Sequence, residues 1–154
     1  MSDSFIDKYV QAVTDYMDAP ESFIRASGYH LISTLLGRFF WIPVMPLGGK
    51  PNVWFIISSI PGRMRRSSLQ KIDRYIYSET LKKYYETAEP NLDEEEIRQK
   101  IQDSIIEEGT PEGILDHITL NPTIKAYDIQ STEFGAVLRR TGTRDYELGV
   151  SALL

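Results

Sequence analysis

Apolar residues recur with a helical period at the start of the chain. Phe5, Ile6, Tyr9, Val10, Val13, Tyr16 and Met17 fall three and four apart, which predicts an amphipathic helix with Ser4 as its N-cap. Asp18-Ala19-Pro20 interrupts that helix, and Pro20 with Glu21 opens a second one through about Leu36, where Gly37 stops it. Residues 1–38 therefore read as a helical hairpin. The pattern then changes. Phe39 to Val44 is aromatic and β-branched and reads as a strand, and the turn-rich stretch Met45 to Asn52 follows it. Val53-Trp54-Phe55-Ile56-Ile57 is an apolar run without alternation, the pattern of a strand buried on both faces of a parallel sheet.

After the loop Ser58 to Arg66, the segment Ser67 to Glu86 places Leu69, Ile72, Tyr75, Ile76, Leu81, Tyr84 and Tyr85 at helical intervals and predicts a long helix. Glu89-Pro90-Asn91 breaks it. Leu92 to Glu108 is a charged helix with a narrow stripe of Ile97, Ile101, Ile105 and Ile106. Gly109-Thr110 ends it, and Thr110 caps a short helix from Pro111 to about Ile118, closed by Asn121-Pro122. Ile124 to Ile129 predicts a third strand, followed by an acidic turn and by helical stretches from Ala136 to Arg140 and from Asp145 onward. The expected fold class is α/β: a P-loop NTPase (RecA-like) parallel-sheet core over residues 39–154, incomplete, behind the hairpin of residues 1–38. The closing apolar run Ser151-Ala152-Leu153-Leu154 has the look of mid-helix and predicts a piece of a longer protein.

Composition narrows the chemistry. With 42% hydrophobic and 25% charged residues the chain is too apolar for a disordered one. It has no cysteine and only two histidines, which removes disulfides, thiolate metal sites and a histidine-based zinc centre, and suits a reducing cytoplasm. The acidic start MSDSFIDKYVQ is unlike a secretory signal, and no window approaches the roughly twenty apolar residues of a membrane span. A cytoplasmic protein is expected. The net charge of −5 argues against coating nucleic acid with the whole surface, so the placement of the basic residues matters more than their sum.

The arginines concentrate in one loop. Ser58-Ser59-Ile60-Pro61-Gly62-Arg63-Met64-Arg65-Arg66-Ser67-Ser68 follows a strand-like run and leads into a long helix. Amides at a helix N-terminus, the helix dipole and side-chain cations would there converge on one anion. Pro61, Gly62, Arg63, Arg65, Arg66, Ser67 and Ser68 are the candidate phosphate-binding residues. The loop is not a regular Walker A: it has no glycine before a lysine, and arginine brings a planar fork where lysine is a point charge. The plainer reading is an ordinary strand-to-helix turn with solvated arginines, or an arginine loop that meets nucleic acid or a protein partner. Gly48-Gly49-Lys50 is explained by a turn. Downstream, Ala126-Tyr127-Asp128-Ile129-Gln130-Ser131-Thr132-Glu133-Phe134-Gly135 offers Glu133 and Asp128 as candidate catalytic carboxylates. Phosphoryl transfer needs a carboxylate at a strand end for the metal or the water, and Ser67 with Glu133 would serve magnesium. Against this, carboxylates are common in loops and caps. His30 reads as packed or capping, His117 beside Asp116 as a surface residue, and Phe39-Phe40-Trp41 with Tyr75, Tyr77, Tyr84 and Tyr85 as core or an interface. Arg139, Arg140 and Arg144 form a second basic patch, read as surface or as a contact to phosphate or DNA.

Taken together, Pro51-Asn52-Val53-Trp54 leading into the loop, Gly109-Thr110-Pro111-Glu112-Gly113-Ile114-Leu115, and Ser131-Thr132-Glu133-Phe134-Gly135 resemble segments of a known group. The group is the P-loop ATPases of mobile elements, found in primase-helicase type replication proteins of plasmids, viruses and integrated elements. The resemblance covers about Asn52 to Leu154. It implies ATP and Mg2+ binding, a RecA-like core, homo-oligomerisation and work on DNA. Thr132 stands where that group has an acidic residue before the glutamate.

Overall fold

The computed structural model describes residues 4–40, 42–43, 49–51, 53, 55, 66–107 and 111–130. Their elements are α1 (Phe5–Thr14), α2 (Glu21–Leu36), α3 (Arg66–Ala88), α4 (Glu94–Asp103), β1 (Ile105–Ile106), α5 (Pro111–Leu120) and β2 (Asp128–Ile129). The chain divides into two compact units, Met1–Leu92 and Asp93–Leu154.

The first unit is helical. Ser4 caps α1 in a capping box: its Oγ accepts from the Asp7 amide at 3.2 Å while Asp7 Oδ2 accepts from the Ser4 amide at 3.3 Å. Ile6, Tyr9 and Val13 make the buried face of α1, and Met17, past its end, is buried as well. α1 packs on α2 and α2 on α3, so the predicted hairpin forms and gains a third helix. Gly28 sets how closely α1 and α2 approach, because a Cβ there would stand 2.9 Å from Tyr9 Cδ1 and 3.2 Å from Ile6 Cδ1. On α3 the buried residues are Leu69, Asp73, Tyr77, Leu81 and Tyr85, a stripe with one residue every four. Tyr75, placed in the apolar face by the sequence reading, is exposed instead.

The second unit holds a βαβ segment. Asp93 caps α4 in another capping box, with Glu96 returning the bond at 2.9 Å. α4 stops at Asp103, so the helix predicted through Glu108 is shorter than expected. Ser104 Oγ bonds back to Ile101 O at 2.7 Å, and Ile105 and Ile106 leave helical geometry to form β1. β1 pairs in parallel with β2, Ile105 opposite Asp128 and Ile106 opposite Ile129. The bonds Asp128 N to Ser104 O, 2.8 Å, and Gln130 N to Ile106 O, 2.9 Å, close the ladder. A parallel pair needs a crossover, and residues 107–127 with α5 supply it.

The expected RecA-like P-loop core is not what these residues build. The described elements are five helices and a two-stranded parallel sheet. Within the run predicted as a doubly buried strand, Val53 is 36% and Phe55 44% exposed, and neither lies in a strand. The predicted Phe39–Val44 strand is likewise replaced: Phe39 and Phe40 are more than half exposed, and Ile42 makes an isolated antiparallel bridge to Gly49. An apolar run specifies a buried strand only when partners pair along its edges, and that pairing is a long-range matter. The helical stretches predicted beyond residue 135 lie outside the described residues. Among the described residues, no helix is long and apolar enough to cross a membrane.

Candidate anion-binding site

Of the predicted phosphate-binding residues, Arg66, Ser67 and Ser68 open α3, while Pro61, Gly62, Arg63 and Arg65 lie outside the described residues. Ser67 and Ser68 are exposed, and the first turn contains no acidic residue. α3 runs 23 residues, about 34 Å, so its peptide dipoles place a partial positive charge at this end, where the first amides have no partner within the helix. Lys71, one turn along, is exposed too.

This helix end is held by contacts deeper in the unit. The buried Asp73 carboxylate accepts hydrogen bonds from the Tyr9 and Ser27 hydroxyls, which lie 3.2 Å from one another. One residue from each of α1, α2 and α3 thus meets at a single polar point. Burial first, and the Asp73 charge second, push the Tyr9 phenol well above its ordinary value of 10.0. Farther along α3, Arg38 Nη2 donates to Tyr85 Oη at 2.5 Å, tying the end of α2 to α3. Burial pulls the Arg38 guanidinium down, but its bonds to Tyr77 and Tyr85 leave it above its usual value. His30, expected to be packed or capping, donates from Nδ1 to Val53 O at 3.4 Å.

The sequence reading placed Tyr9 only on the apolar face of the first helix and did not single out Ser27, Asp73 or Arg38. The signal for Asp73 was its position, four residues after Leu69 and four before Tyr77, where an apolar stripe should continue.

In the second unit Asp128 sits in β2 at 2% exposure and accepts from Gln130 Nε2 at 2.9 Å. Glu133 lies outside the described residues. His117, expected at the surface, is half-buried and donates from Nε2 to Asp103 O at 2.7 Å, with its ring edge-on to Tyr127. Burial and then the Asp103 charge raise the Tyr127 phenol. Among the described residues, no group of three or more His, Asp or Glu side chains is arranged to hold a metal ion. No family model matches the chain, and neither the curated proteins nor the solved structures contain a match to it.

Proposed function

We propose that the chain binds the phosphates of a nucleotide, ATP with magnesium, at the N-terminus of α3. The observation that carries this reading is that a 23-residue helix begins at Arg66 with Ser67 and Ser68 exposed and no carboxylate in its first turn. The amides and the dipole attract an anion, and arginine fits a phosphate with two parallel bonds. Arg63 and Arg65, next to this turn in the chain, bring further positive charge. The three-helix packing that pins α3 keeps the amides of its first turn pointing one way, which lowers the entropy lost on binding.

Ser67 has the exposed hydroxyl suited to magnesium beside a phosphate. The resemblance to mobile-element replication ATPases extends the proposal to ATP hydrolysis coupled to DNA in a homo-oligomer. Equilibrium dialysis with magnesium and ATP tests the core of it. Binding should be measurable for the unaltered chain and at least about tenfold weaker in Arg66→Ala and in Ser67→Ala, as expected when a charge-assisted phosphate contact is removed. Absence of nucleotide binding together with salt-sensitive DNA binding would instead assign the arginine loop to nucleic acid.

A further inference from the structure

Arg38 follows the last turn of α2 and is 9% exposed. Its contacts are with a phenol: Nη2 bonds Tyr85 Oη at 2.5 Å, and the guanidinium carbon lies 5.5 Å from the centre of the Tyr85 ring. Its Nη1 is sealed from solvent and has no hydrogen-bond partner. Among the described residues no carboxylate forms an ion pair with it, and the buried carboxylate of the same unit, Asp73, is engaged by Tyr9 and Ser27. A guanidinium stays charged at any pH the protein meets. Neutral hydroxyls satisfy some of its donors but do not balance its charge, and a buried cation left that way is unfavourable unless an anion joins it.

The surroundings indicate where an anion would arrive. Phe39, next in the chain and more than half exposed, stands edge-on to Tyr84 at 5.1 Å, and Tyr84 is 5.4 Å from Tyr85. A row of rings therefore leads from the surface to the phenol that Arg38 holds. Tyr77 and Tyr85 lie roughly three and five turns along α3 from Arg66, so this place is separate from the helix start.

We propose that Arg38 is the recognition group of a second anion site, which takes a compact oxyanion, a phosphate or carboxylate group, behind a rim that includes Phe39. The free Nη1 supplies the donor, the guanidinium the charge, and Tyr85 holds the fork in place before the ligand arrives.

Thermal unfolding of the full chain, followed by circular dichroism in sodium phosphate, acetate and chloride of matched ionic strength, tests this. The midpoint should rise by about 2–4 °C in phosphate or acetate relative to chloride. The larger of the two rises identifies the preferred group. Phosphate also stabilises proteins generally by exclusion from their surfaces, so the readout is the difference between variants. The rise should vanish in Arg38→Met, fall by half or more in Arg38→Lys, and survive in Ser67→Ala. Equal midpoints in the three salts would overturn the proposal, as would an undiminished rise in either Arg38 variant. Should Arg38→Met fail to fold, Arg38→Lys alone decides, because it keeps the charge and loses the fork.

Discussion

Asp73 shows how much one side chain organises here. Its carboxylate takes hydroxyls from residues 64 and 46 positions away in sequence, Tyr9 and Ser27, and so ties three helices at one point. Bonds to a buried charge are stronger than neutral ones, and removing the acceptor strands two buried hydroxyls. Asp73→Ala should therefore cost about 3 kcal/mol, read as a lowered urea midpoint. The same cluster makes stability sensitive to alkali. Tyr9 titrates higher in the folded chain than in the unfolded one, so its contribution is complete below pH 10 and is lost as the pH climbs past that value. Urea midpoints measured from neutral pH upward should fall more steeply above pH 10 in the unaltered chain than in Tyr9→Phe. Sequence patterns register local period, and a bond spanning 64 residues leaves no local trace.

The helices were the most legible elements, because caps and periodicity act over a few residues. Ser4, the predicted cap of α1, carries the capping box with Asp7, and Ser4→Ala should cost about 1 kcal/mol in thermal or urea unfolding. The Ser4 hydroxyl first, and Arg25 second, hold the Asp7 carboxyl below its ordinary value of 3.8. Its support for α1 is thus present above that pH and fades as the pH falls through the folded-state value. Gly28 tests the packing of α1 on α2. Alanine there gains about 1 kcal/mol of helix propensity but collides with a Tyr9 ring whose hydroxyl is tied to Ser27 and Asp73. Overpacking of this kind costs about 1–3 kcal/mol, so Gly28→Ala should be net destabilising by about 1 kcal/mol in urea unfolding. Strands were read poorly. Val53 and Phe55 carry the composition of a buried strand but are exposed, whereas Ile105 and Ile106 continued a helical stripe and became β1. At Ile105 and Ile106 a partner strand 23 residues along the chain, and not local preference, set the outcome.

At the scale of the whole chain, the division at Leu92 coincides with the reach of the described side-chain links of α1, α2 and α3. The Tyr9–Ser27–Asp73 point, the Arg38–Tyr85 bond and the His30–Val53 bond all close within residues 1–92. Ten of the described residues of that unit bury apolar side chains, among them Ile24, Leu31 and Leu81, each worth about 2 kcal/mol on burial. A chain ending at Leu92 should accordingly fold on its own, with a helical circular dichroism spectrum and a single cooperative thermal transition. A gradual, non-cooperative loss of signal would show that the second unit is needed.

Sequence alone placed α1, α2, α3 and α5, the Ser4 cap, the break at Glu89-Pro90-Asn91 and the candidate status of Arg66, Ser67 and Ser68, since each depends on neighbours within about two turns. Only the tertiary structure decided that Asp73 and Arg38 are buried, that Asp128 faces inward, and which apolar segments pair as strands. Those outcomes depend on which distant groups come together to satisfy a charge, a hydroxyl or a backbone amide, and no local period carries that information.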